Sequence, residues 1–151
     1  MTLKMKADIK QQWIEELRSG RYKQGRGELH RLGTPTRDGD VTEDQFCCLG
    51  VLSKMCHEAG ATPAEEKVGN VMEYGEPGDT TYLPLDVIKW AGMKFEGRRM
   101  HLDSVVEETR GIITYGATPS EDGEINLSLM NDNGSTFEEI ADVIEKHVVG
   151  V

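Results

Sequence analysis

The chain has 151 residues, 37% of them hydrophobic but only 6% aromatic, and its 27 acidic and 17 basic side chains give a formal charge of −10. That length suits a single domain, spanning 1–151, able to bury roughly 70% of its unfolded surface around an aliphatic core. The charge opposes direct binding to nucleic acid or to an anionic membrane, and leaves open a basic partner or mimicry of DNA itself.

At the N-terminus, residues 1–10 alternate lysines with small and apolar residues and never build the apolar stretch that an export signal needs. No apolar run is long enough to cross a bilayer. A first helix is predicted over 7–18, where Ile9, Trp13, Ile14 and Leu17 recur at helical spacing, and Ser19-Gly20 ends it. Residues 21–33 are turn-rich, with room for a short strand. The polar stretch 33–44, with Pro35 and an Asp38-Gly39-Asp40 turn signal, is expected to be a flexible loop.

Thr42-Glu43-Asp44-Gln45 matches a capping box and predicts a central helix from there to Ala59, stopped by Gly60. Phe46, Leu49, Leu52, Met55 and Cys56 form its inward stripe, and Gly50 is expected to admit another element at close range. Strands over 68–74 and 80–83 flank a Gly75-Glu76-Pro77-Gly78-Asp79 turn and suggest a hairpin. Pro84 opens a short helix through Trp90 that Gly92 ends. Ser104-Val105-Val106-Glu107 fits either a helical turn or a strand, residues 112–115 read as a strand, and Glu121-Asp122-Gly123 supplies a turn. Residues 125–129 alternate like a strand, while 127–131 fit a short helix equally well. The last helix is the clearest: Thr136 and Glu139 form a capping box, and Phe137, Ile140, Ala141, Ile144 and Val148 its apolar face. The sum is an α+β fold, about four helices packed on a small, mostly antiparallel sheet.

The chemistry centres on three cysteines, Cys47, Cys48 and Cys56, all on the predicted central helix. Positions 48 and 56 lie about 12 Å apart along such a helix, beyond disulfide reach, which predicts reduced thiols and a cytoplasmic setting. Cys47 near the helix start is the candidate nucleophile, since the positive end of a helix favours thiolate. A cysteine hydrolase or transferase also needs an oriented histidine base. His57 lies about 15 Å along the same helix, out of reach. His147 closes the last helix, and His30 and His101 have no defining context. Packing in the core is the favoured reading, because cysteine ranks among the most buried residue types.

No metal and no cofactor are expected. Adjacent Cys47 and Cys48 diverge by about 100° around a helix, unlike the C-x2-C pairs of zinc sites. A calcium loop on Asn131-Asp132-Asn133-Gly134 would place Leu129 at the first ligand position, and no phosphate-binding G-x4-G-K-[S/T] is present. A helix-turn-helix over 127–145 would turn Glu138, Glu139, Asp142 and Glu145 toward phosphates. Tyr22, Gln24, Asn131 and Asp132 are the candidate ligand-binding residues. They either line a pocket or satisfy one another and nearby loop backbone.

Four patches stand out in order: Trp13-x3-Leu17-x-Ser19-Gly20-x-Tyr22-x-Gln24-Gly25, Phe46-Cys47-Cys48-Leu49-Gly50-Val51-Leu52, Tyr82-Leu83-Pro84 followed by Trp90-Ala91-Gly92, and Asn131-Asp132-x-Gly134-x-Thr136-Phe137-x2-Ile140-Ala141-Asp142-x-Ile144-Glu145. Together they resemble a group of small proteins encoded by tailed bacteriophages and prophages. The resemblance implies a viral protein made in a bacterial host cytoplasm and carries no mechanism with it. By analogy with small accessory phage proteins, the expectation is binding of a host protein or small ligand without catalysis. The alternatives are a Cys47-dependent hydrolase or transferase and a DNA-mimicking inhibitor of a host nucleic-acid-binding protein.

Overall fold

The computed structural model describes residues 2–61, 65–74, 83–96 and 127–151. The expected strand over 112–115, the alternatives at 104–107, the 121–123 turn and His101 fall outside them, as does the 75–79 turn.

Strand β1 (Thr2–Met5) leads into helix α1 (Ala7–Arg18), whose stripe of Ile9, Trp13, Ile14 and Leu17 is buried as its spacing predicts. Two two-residue strands follow, β2 (Lys23–Gln24) and β3 (His30–Arg31), and then β4 (Gln45–Phe46). Helix α2 spans Cys48–Glu58 with Cys47 as its N-cap. Its start therefore lies five residues later than the Thr42 capping box predicts. Gln45 and Phe46 pair instead with β2 and β3, and the Thr42 hydroxyl accepts the Thr34 amide at 2.8 Å. Strand pairing outweighed a local capping signal.

Of the expected hairpin, the 75–79 turn and residues 80–82 lie outside the described residues, and its first strand, 68–74, is broken by a turn of its own. Strands β5 (Glu65–Val68) and β6 (Val71–Tyr74) pair from Glu65↔Tyr74 to Val68↔Val71, and turn on Gly69-Asn70. Gly69 has φ +62° and no non-glycine described here has positive φ, so glycine sits first in a two-residue turn of the type that matches strand twist. Helix α3 (Leu85–Ala91) starts after Pro84 and ends at Gly92, which is left-handed at φ +64°, ψ 31°. Strand β7 (Lys94–Glu96) follows. Residues 127–132 resolve as the helical alternative, α4 (Leu127–Asp132). Helix α5 (Phe137–His147) carries the expected Thr136–Glu139 capping box, and β8 (Val149–Gly150) ends the fold.

The fold is α+β, with the strands divided between two sheets. Among the described residues, one has the order β7-β1-β8, the other β2-β4-β3-β6-β5, and four of the six pairings are antiparallel. One hydrophobic cluster reaches from Leu3 to Val148, with α2 at its centre. Leu49, Val51, Leu52 and Cys56 are fully buried, and Trp13 reaches from α1 to donate to the Cys48 carbonyl at 3.0 Å. Gly50 is where α2 meets the chain before β3. A Cβ there would lie 1.6 Å from the Leu29 carbonyl oxygen, so only glycine permits this approach. Residues 33–44 close into a loop with its own bonds, Thr36 N to Asp40 O at 2.7 Å and Thr42 N to Thr34 O at 2.9 Å.

Candidate functional site

Cys47 sits where a nucleophile would, at the N-terminus of the central helix. Its sulfur is turned inward and accepts the Gly50 amide at 3.4 Å, so the thiol acts as the helix cap. Two effects compete on it. Burial disfavours thiolate, whereas the Gly50 and Leu49 amides favour it; burial wins, and the pKa is pushed up to about 11. Cys48, fully buried, is raised well above its ordinary range by burial and donates to the Leu127 carbonyl at 3.5 Å. All three cysteines are reduced and buried. Neither ring nitrogen of His30 bonds to Cys47: Nδ1 lies 2.6 Å from the Tyr74 hydroxyl and Nε2 2.7 Å from Asp44.

The four candidate ligand-binding residues divide. Gln24, Asn131 and Asp132 meet, joining β2, α2, α4 and α5. Gln24 Nε2 donates to Asn131 Oδ1 at 2.9 Å and to the Ser135 carbonyl at 2.7 Å, and Gln24 Oε1 accepts the Phe137 amide at 3.1 Å. Asn131, fully buried, also accepts the Cys48 amide at 3.2 Å and donates to the Gly25 carbonyl at 2.8 Å. Asp132 accepts the Gly27 amide at 3.0 Å. These side chains hold loop ends and helix starts together, which is the structural alternative of the sequence reading.

Tyr22 stands apart from that clasp. It faces an open cleft of about 560 Å³ lined by Gly20, Arg21, Tyr22, Lys23, Glu43, Asp44 and Phe46. Phe46 is the cleft's apolar floor: Tyr22 meets it edge-on with centroids 4.9 Å apart, and His30 stacks on it at 4.0 Å. Arg21 lies over the Tyr22 ring at 5.3 Å and pairs with Glu16 at 3.1 Å. The size falls within the range of small-ligand sites.

Behind this wall runs a series of polar contacts that sequence reasoning missed. Asp44 leads to His30, His30 to Tyr74, Tyr74 to Glu65 Oε1 at 2.8 Å, and Lys54 of α2 donates to the same Glu65 oxygen at 2.6 Å. Burial opposes charge on Asp44, but hydrogen bonds from His30 and the Gly33 amide outweigh it and hold the carboxyl below its ordinary range. Glu65 is likewise lowered against burial by Lys54 and Tyr74. Burial first, then the Glu65 carboxylate, drives the Tyr74 hydroxyl far above its ordinary range. The partners come from β3, β5, β6, α2 and the approach to β4, separated by 9 to 44 residues, so no local spacing links them. The sequence signal was consumed elsewhere, since Asp44 lay inside the apparent capping box.

Among the described residues, no group of three or more His, Cys, Asp or Glu side chains is placed to hold a metal ion. Among them also, no helix is long and apolar enough to cross a membrane. No curated protein and no solved structure matches the chain. Residues 5–148 match a family described as a domain of unknown function, DUF8296. That match spans nearly the whole fold, from the end of β1 to the end of α5, and the chain belongs to the DUF8296 family.

Proposed function

We propose that this is a phage-encoded accessory protein of the bacterial host cytoplasm that binds a host component without transforming it, and that the Tyr22–Asp44 cleft is where it does so. The observation that carries this reading is a contrast. The one open, aromatic-floored recess described above displays both charge signs, whereas the thiol best placed for catalysis is sealed, engaged and protonated. Asp44 offers the cleft a carboxylate held ionised by its partners, and Tyr22 a hydroxyl and a ring edge. The four sequence patches support the phage origin.

The natural occupant is a small polar ligand, or a short side-chain group of a host protein, able to pair with Asp44 and rest against Tyr22. The test is 15N–1H correlation NMR of the protein titrated with fractionated small-molecule extract and with purified basic proteins from host cells. Saturable shifts at the amides of residues 20–23 and 43–46, lost in Tyr22→Ala while the fold is retained, are expected. Chemical conversion of an extract component, blocked by Cys47→Ser, would overturn the reading.

A further inference from the structure

We infer that His30 is a proton-binding site in the folded protein, an imidazolium whose extra hydrogen locks the wall of the cleft, and that its loss loosens that wall. This does not rest on the cleft's having a ligand. It follows from counting hydrogens. Three contacts run in series, Asp44 Oδ2 to His30 Nε2 at 2.7 Å, His30 Nδ1 to Tyr74 Oη at 2.6 Å, and Tyr74 Oη to Glu65 Oε1 at 2.8 Å. Each distance requires a hydrogen between two otherwise repelling lone pairs. A neutral imidazole supplies one and the phenol supplies one, so a third is needed.

The ends of the series do not provide it. Glu65 Oε1 already accepts from the Lys54 ammonium at 2.6 Å, and a hydrogen shared between Asp44 Oδ2 and His30 Nε2 rests on the ring, because an imidazole is ordinarily about two to three pH units more basic than an aspartate. Both carboxyls are held below their ordinary range, as described above. The third hydrogen therefore belongs on His30, whose two nitrogens then donate outward to Asp44 and Tyr74.

The groups facing His30 among the described residues are Asp44 before β4, Tyr74 of β6 and, through it, Glu65 of β5 and Lys54 of α2; Phe46 covers its face. His57 Nε2 stands 3.8 Å from the other Glu65 oxygen, within ion-pair range but beyond hydrogen-bond range, and supplies none of the three hydrogens. When the hydrogen leaves, two acceptors face each other across one of these short gaps and that gap must open. β3, β4 and β6 meet at His30, and Asp44 and Phe46 belong to the cleft, so the change reaches the cleft directly. The sign is fixed: the lock is lost as pH rises through the titration of the imidazolium, and holds below it down to the acid range in which Asp44 and Glu65 protonate.

The test is long-range 1H–15N NMR of the imidazole rings in full-length protein from pH 5 to 9, with His30 assigned by His30→Gln. Exposed His147 serves as the internal reference. Both His30 nitrogens should stay protonated to a higher pH than those of His147, and the amides of Asp44, Phe46 and Tyr74 should shift with the His30 titration. Tyr74→Phe removes an acceptor and Asp44→Asn, independently, removes the partner's negative charge, and each should lower the His30 midpoint by at least about one pH unit, a tenfold loss of proton affinity. A His30 Nδ1 unprotonated while His147 is still charged, or a midpoint unmoved by both substitutions, would overturn the inference.

Discussion

Asn131→Asp changes one atom in the interior clasp and should convert a stabilising residue into a pH-dependent liability. The side chain is fully buried, and its Oδ1 accepts from Cys48 N and Gln24 Nε2 in either residue. What changes is the other atom. The amide donates to Gly25 O at 2.8 Å, with Asp132 Oδ1 3.4 Å away, and an ionised carboxylate would set oxygen against oxygen there. The new acid keeps the bond only while protonated, so its folded pKa must rise above the unfolded value of about 3.9. A group of that kind is harmless below its unfolded pKa and costs about 1.4 kcal/mol for each pH unit above it, until the folded pKa is reached. A rise of about two to three units gives a loss of about 3–4 kcal/mol at pH 7, equivalent to about 10 °C in Tm for a chain of this size. Urea unfolding at pH 4, 5, 6 and 7, followed by the fluorescence of buried Trp13, measures it. The gap to wild type should widen with pH. A gap that is constant across that range, or absent at pH 7, would refute the assignment of Asn131 as a donor that Gly25 requires.

Gly50→Ala places a methyl 1.6 Å from the Leu29 carbonyl, which belongs to rigid backbone, and should destabilise by about 3 kcal/mol or more, read as a lower urea midpoint with an unchanged m-value. Asp44 and Glu65 both have folded pKa values below their unfolded ones, so the stability they confer is present above about pH 4 and disappears as pH falls through the folded values. In acid titrations monitored by circular dichroism, Asp44→Asn should therefore flatten the loss of stability below pH 4 relative to wild type. Thr136→Ala removes the hydroxyl that accepts the Glu139 amide at 3.1 Å and should cost about 1 kcal/mol in thermal unfolding, with Thr136→Ser close to neutral.

The helices were legible because their signals are local. The stripe of α1, the Pro84–Gly92 bounds of α3 and the Thr136 box of α5 each lie within a few residues of the backbone they shape. The strands were not, because β2, β3 and β4 are two residues long and exist only through partners elsewhere in the chain. The same difference explains the late start of α2 and the Gly69-Asn70 turn inside what reads as one strand over 68–74. Of the site, the meeting of Gln24 with Asn131 was foreseeable from their place in two flanking patches, as was the close approach at Gly50. The His30 series was not. Its members carry meaning only once five separate segments are assembled, and a histidine between Leu29 and Arg31 gives no hint of two short bonds.

Binding in place of thiol chemistry is the central claim, and the reactivity of Cys47 tests it most directly. Native protein is exposed to iodoacetamide at pH 7.5, quenched over time and read by peptide mass spectrometry, with urea-unfolded protein as the reference. A sealed sulfur with its pKa pushed up to about 11 should remain unlabelled on the timescale that modifies the unfolded chain completely. Rapid, selective and stoichiometric alkylation of Cys47 in the folded protein would contradict the account.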